Sequence, residues 1–168
     1  MSSEDLQNVA SPFVLVVEDY PDAREMYSEY LRFSGFRVAE ARNGEEALEK
    51  AFTLRPDVVL MDLALPLMDG WEATRRLKSD PRTAQILVVA LTGHALAGHQ
   101  EGARRAGCDS FVTKPCLPDE LVDEIRRLLA LRDGNAPDGG SAQSASESTA
   151  VPATVPVVSH SKPVFNPS

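Results

Sequence analysis

The run Val58-Val59-Leu60-Met61, closed at once by Asp62 and Leu63, is the stretch on which the fold turns. Four consecutive apolar residues leave no polar face. The segment therefore reads as a strand covered by helices above and below, the situation of a parallel sheet. Two further runs share the character: Phe13-Val14-Leu15-Val16-Val17 and Ile86-Leu87-Val88-Val89-Ala90-Leu91. Phe36 to Ala41 is mixed, carrying Arg37 and Glu40, and suits an edge strand; the short Ser110 to Thr113 suits another.

Amphipathic stretches fill the gaps. Pro21 stands where a first helical residue is expected, in a segment running to Ser34 with Gly35 to end it. Asn43 with Glu46, and Asp69 with Glu72, have the spacing of capping pairs and predict two more helix starts. The last helix is expected from Pro118, with Asp119, Glu120, Asp123 and Glu124 early and Arg126, Arg127 and Arg132 late, in the order that suits the helix dipole. Leu121, Ile125, Leu128 and Leu129 would form its buried face. Strand followed by helix, five times in succession, predicts an α/β fold: a doubly wound, five-stranded parallel sheet with right-handed crossovers.

The whole chain has 168 residues, with 17 Lys and Arg against 25 Asp and Glu, a net charge of −8. That balance argues against nucleic acid as a partner, because phosphate capture needs a basic face. Two cysteines, Cys108 and Cys116, are too few for a disulfide framework and read as reduced thiols. The first twelve residues are polar and acidic, unlike a secretory leader, and no apolar stretch approaches the roughly 18–20 residues of a membrane span. A cytoplasmic protein without a membrane anchor is expected. Residues 133–168, 36 in all, include five Pro, three Gly and seven Ser, and cannot bury enough apolar surface to offset their ordering entropy. The expected organisation is a disordered arm over 1–12, a folded domain over 13–132 and a disordered tail over 133–168.

In a doubly wound sheet, ligands bind beyond the carboxyl ends of the strands. Glu18 and Asp19 follow the first apolar run, Asp62 the third strand, Thr92 the fourth and Lys114 the fifth. Four strands thus deliver polar groups to one edge. Two carboxylates about 4 Å apart repel by roughly 4 kcal/mol at an effective dielectric of 20, so Glu18, Asp19 and Asp62 need a compensating cation. Lys114 supplies one charge, and an all-oxygen donor set favours a hard divalent ion, Mg²⁺ first, for the rest. Carboxylate, hydroxyl, lysine and such an ion make a phosphoryl-transfer constellation, with Asp62 as nucleophile.

The ordered motifs resemble those of bacterial response regulator receiver domains. They are Val16-Val17-Glu18-Asp19, Val59 to Leu63, Pro66-Leu67-Met68-Asp69-Gly70, Leu91-Thr92-Gly93 and Thr113-Lys114-Pro115, with Thr92 and Lys114 placed 30 and 52 residues after Asp62. The resemblance spans essentially Phe13 to Arg132 and implies a flavodoxin-like (βα)5 fold with strand order 2-1-3-4-5. It implies Asp62 as phosphoacceptor and Asp19 as a direct Mg²⁺ ligand, with Glu18 acting through water and the Ala64 carbonyl as a further ligand. Thr92 and Lys114 would contact the phosphoryl group, the Lys114–Pro115 bond would be cis, and Phe111 would be the switch aromatic following Thr92. The chain departs from the family pattern in places. Ala64 has no side-chain hydrogen bond for an attacking water, Gly93 stands where Ala is often found, and Phe111 lacks a hydroxyl.

The implied function is a stand-alone, phosphorylation-driven switch with no output domain and no catalysis beyond its own phosphoryl transfer. Its partners would be a sensor histidine kinase or phosphotransfer protein and a downstream protein bound by the last two helices and last strand, with a homodimer also open. Three alternatives stand beside this reading. A relay intermediate would pass the phosphoryl group to a histidine phosphotransfer protein. An Mg²⁺-dependent aspartyl phosphatase usually wants a second acid where Ala64 stands. A flavodoxin-like cofactor binder would need a phosphate-cradling loop where Glu18 and Asp19 repel phosphate.

Plainer readings stand beside the sharp ones. Phe111 is equally a core aromatic. His94 and His99, five apart, are off the helical spacing a shared metal needs and suit solvated positions. Cys108 and Cys116 suit packing, and Trp71 suits partial burial on its helix. Gly98 and Gly102 each cost a helix about 1 kcal/mol relative to Ala, marking the helix after Thr92 as loosely held and easily shifted.

Overall fold

In the computed structural model, which describes residues 11–93 and 97–134, five strands and five helices alternate. The order is β1 (Phe13–Val17), α1 (Pro21–Phe33), β2 (Arg37–Ala41), α2 (Gly44–Leu54), β3 (Val58–Asp62), α3 (Gly70–Ser79), β4 (Leu87–Thr92), α4 (Ala97–Ala106), β5 (Ser110–Thr113) and α5 (Pro118–Arg132). All neighbours pair in parallel, in the order β2-β1-β3-β4-β5. The chain order reverses at β1, and the carboxyl ends of β1 and β3 lie side by side there.

Strand alternation sorts the core into two layers. Val14 and Val16 of β1, Val58 and Leu60 of β3, and Val89 and Leu91 of β4 face one way, against Tyr27 and Leu31 of α1 and Leu121, Ile125 and Leu128 of α5. Leu15 and Val17, Val59 and Met61, and Val88 face the other way, against Ala47 and Ala51 of α2 and Ala73 and Leu77 of α3. This double coverage is why β3 is buried along its whole length and why its sequence carries no alternation. Short Ala side chains on α2 and α3 let those helices lie close to the sheet.

The local signals act as their chemistry requires. Asn43 Oδ1 accepts the Glu46 amide at 2.8 Å, and the Glu46 carboxylate accepts the Arg42 amide at 3.0 Å. Asp69 Oδ1 accepts the Glu72 amide at 2.9 Å. The chain leaves α1 through Gly35 at φ +95°, a conformation costly to any residue with a Cβ.

Three differences from the sequence reading matter. First, β3 and β4 each run one residue further than their apolar runs, so Asp62 and Thr92 are strand residues; the Asp62 position pairs with Leu91, and the Leu63 amide reaches the Leu91 carbonyl at 3.0 Å. Second, contacts of the domain extend two residues beyond 13–132 at each end. Pro12 and Ser11 offer carbonyls to Arg37, Asp133 donates its amide to Leu129, and Gly134 donates to Leu131. The remainder of the expected arm and tail, together with His94 and the side chain of His99, lies outside the described residues.

Third, Gly102 has a packing role that periodicity did not reveal. The half-buried Trp71 ring of α3 occupies the space a Cβ on Gly102 would need. The glycine is a slot for an indole, and its helix-propensity cost accompanies a close approach of α4 to α3. Among the described residues, no helix is long and apolar enough to cross a membrane.

Candidate functional site

Glu18 follows β1, and its amide bonds to the Ala41 carbonyl at 3.1 Å, so the ladder to β2 continues into the loop. Asp62 closes β3. Carboxylate oxygens of Glu18, Asp19 and Asp62 come within 4.8 Å of one another. Asp19 is exposed, whereas Glu18 and Asp62 are 2% and 4% exposed. Lys114, directly after β5, reaches across the strand ends: its Nζ lies 2.5 Å from Glu18 Oε2 and 3.4 Å from Asp62 Oδ2. The other Glu18 oxygen accepts the Tyr20 amide at 3.2 Å, and Asp62 Oδ1 accepts the Ala64 amide at 3.0 Å. The Lys114–Pro115 bond is cis.

The electrostatics are those of too many negative charges. Burial raises the pKa of the Glu18 carboxyl; the Lys114 hydrogen bond opposes this and the Asp62 charge adds to it. Burial works against the Lys114 ammonium, yet the Glu18 hydrogen bond and Asp62 charge outweigh it, and the lysine's pKa also rises. Both shifts point upward for different reasons: burial favours the neutral Glu18 carboxyl, whereas the carboxylates of Glu18 and Asp62 favour the charged Lys114 ammonium. Oxygen ligands, close spacing and surplus charge together fit a hard divalent cation.

Thr92 is buried at the end of β4, in register with Thr113, and its carbonyl accepts the Lys114 amide at 2.7 Å. The amide–carbonyl bond ties the lysine's backbone to the strand that carries the hydroxyl. Phe111 is half-buried on β5, opposite Ala90, and Ala64 is exposed in the loop after β3. In that loop Leu67 holds φ +66° at 91% exposure, a conformation that costs a non-glycine residue about 1–2 kcal/mol. The two thiols are packing groups. Cys108 lies against the α2/α3 layer with its thiol pushed up by burial, and Cys116 lies against the α1/α5 layer.

Two residues near this edge escaped the sequence reading. Arg24 of α1 sends Nη1 to the carbonyls of Glu18 at 2.9 Å and Asp19 at 3.4 Å. Tyr27, one turn later, places its hydroxyl 3.9 Å from Cys116 Sγ, and burial raises its pKa, with Cys116, Glu18 and Asp62 adding to the shift. The usable signal was position: both sit in the first two turns of the helix that begins beside the acids.

Comparison with known proteins places this geometry in a family. Residues 14–126 match the response regulator receiver domain. The polar-differentiation response regulator DivK of Brucella anthropi is 35% identical over 116 residues, 69% of this chain and 94% of that protein. The chemotaxis protein CheY4 of Vibrio cholerae shares 28% identity at a TM-score of 0.67, covering 70% of this chain and 98% of that one. The receiver domain of sensor histidine kinase PA1611 from Pseudomonas aeruginosa is 33% identical at a TM-score of 0.65, over 70% of this chain and 96% of its own; its structure has a magnesium ion coordinated in the active site cleft. The chain belongs to the response regulator receiver domain family of two-component signalling.

Proposed function

We propose that this receiver accepts a phosphoryl group on Asp62 and signals through protein contacts. The observation that carries the reading is the convergence of Glu18, Asp19 and Asp62 with Lys114 Nζ bridging two of them at 2.5 and 3.4 Å. The donor would be a phosphohistidine of a sensor kinase or phosphotransfer protein. An Asp62 oxygen forms the new P–O bond while the P–N bond breaks, and the electron pair returns to the imidazole, which takes a proton from water.

Glu18, Asp19, Asp62 and the Ala64 carbonyl would hold Mg²⁺, which supplies charge neutralisation for the transferred group. The protein's own contribution is position. Asp62 is held on the ladder beside Leu91, so its carboxylate does not need to be ordered at the moment of reaction. Lys114 loses part of its ion pair with Asp62 and gains a phosphoryl oxygen, an exchange between two anions that keeps its charge compensated. Thr92, one strand over, supplies the hydroxyl for another oxygen, and Phe111 on β5 would follow that movement.

The new group brings about −1.5 to −2 charges into a corner already rich in acid, so the response is electrostatic at its origin. Output would pass through α4, β5 and α5 to a downstream partner or a second copy of the chain. Treatment with acetyl phosphate and Mg²⁺, read by intact mass, should add one phosphoryl group. Asp62→Asn should abolish the gain, and full labelling in that variant would overturn the assignment.

A further inference from the structure

Arg24 is a half-buried cation beside an acidic cluster, yet it pairs with none of the three clustered carboxylates. Its side chain is only 15% exposed. Nη1 donates to the Glu18 carbonyl at 2.9 Å and lies 3.4 Å from that of Asp19, while Nε stands 3.6 Å from Glu40 Oε2 on β2. Glu40 is itself held, through Arg32 Nη2 at 3.4 Å from Oε1 and through its carbonyl, which accepts Lys50 Nζ. A planar guanidinium anchored through Nε on the edge strand therefore places its Nη1 between two consecutive carbonyls of the β1–α1 loop. Those carbonyls belong to the two residues whose side chains enter the acidic cluster. Fixing both peptide planes fixes where the Cα–Cβ bonds of Glu18 and Asp19 point.

We infer that Arg24 is a positioning residue for the cation site: it orders the Glu18–Asp19 backbone so that two carboxylates are aimed before an ion arrives. The inference rests on the magnesium-site reading above. It makes a prediction opposite in sign to simple electrostatics. Removing a positive charge near an acidic cluster should tighten cation binding by Coulomb's law. Losing the groups that orient ligands weakens it, by about 10- to 100-fold at metal sites generally.

The test is calorimetric titration of the full chain with Mg²⁺ alone. Arg24→Met keeps the aliphatic bulk and removes both charge and guanidinium; it should weaken Mg²⁺ binding about tenfold. Arg24→Lys keeps the charge but cannot span two carbonyls and Glu40, and should recover only part of that loss. Glu40→Gln, which leaves Arg24 in place but loosens its anchor, should weaken binding by less than Arg24→Met does. In phosphorylation by acetyl phosphate, the Mg²⁺ concentration for half-maximal rate should rise in parallel, while the rate at saturating Mg²⁺ stays within about twofold of the parent. If Arg24→Met fails to fold by circular dichroism, Arg24→Lys and Glu40→Gln decide the matter.

Mg²⁺ affinity unchanged or tighter in folded Arg24→Met, or full affinity in both other variants, would overturn the inference. Because titration reads the ion and not the phosphoryl group, labelling that survives Asp62→Asn would sink the phosphoacceptor reading and leave this result standing.

Discussion

Helices α4 and α5 flank the same short strand but are held in different ways. α5 buries Leu121, Val122, Ile125, Leu128 and Leu129 and ties itself to α1, with Arg126 donating to the Ser34 carbonyl and lying over the Phe36 ring. Among its described side chains α4 buries Ala106 alone, and Gly102 leaves a slot that receives Trp71. β5 between them is half-buried at all four positions, whereas β3 at the sheet centre is fully buried. The contrast separates two tasks. The proposed chemistry belongs where burial from both faces fixes atoms, at the ends of β1 and β3. A response that must move for a few kcal/mol belongs at the thin edge, where little packing is lost when an element shifts.

The sharpest way to break the contrast is to cut into each helix in turn. Ile125→Ala should cost about 2–5 kcal/mol in denaturant unfolding, while Ala106→Gly should cost only about 1 kcal/mol. Similar losses would show that α4 carries as much of the fold as α5. Native-state hydrogen exchange should find the amides of 101–106 opening at a free energy at least about 1 kcal/mol below those of 121–129. Equal protection would remove the case for α4 as the yielding element.

Gly102→Ala sharpens the point through its sign. Helix propensity alone predicts a gain of about 1 kcal/mol, but the Trp71 ring fills the space, so a loss of about 1–2 kcal/mol is expected. Combining it with Trp71→Ala should turn the effect of the alanine favourable again, a coupling that a double-mutant cycle measures directly.

The smallest effect lies on the α5 side. Glu124 is held below its ordinary 4.5, first by Arg127, with Ser110 of β5 adding to the effect. A carboxyl whose folded pKa is lowered contributes stability above the unfolded value and loses it as pH falls through the folded one. Acidification below about 4.5 should thus cost the parent more than Glu124→Gln, by about 0.5 kcal/mol for this partly exposed pair, as thermal unfolding across pH would show.

Much of this was legible without coordinates. Val58 to Met61 has no polar face, and so it reads as a strand covered on both sides. Asn43 and Asp69 mark helix starts through bonds made within a few residues, and Pro21 and Pro118 through the fixed φ of their own rings, all effects for which sequence distance and spatial distance are nearly the same. Asp62, Thr92 and Lys114 were legible as a set because each ends a strand of a parallel sheet, and such ends share an edge. The extension of β3 and β4 by one residue was not, because Asp and Thr carry no apolar signal even when the ladder continues through them.

Composition and periodicity alone therefore determined the alternating layers, the edge that gathers the acids and the identity of the residues brought there. Tertiary structure alone decided that Arg24 grips the carbonyls of Glu18 and Asp19, that Gly102 admits Trp71, and that Lys114 bridges Glu18 and Asp62. The physical reason is range. Periodicity records which face of an element is apolar, whereas these contacts depend on how far one helix leans toward its neighbour and where a long side chain ends, and both are set by the packing of the whole domain.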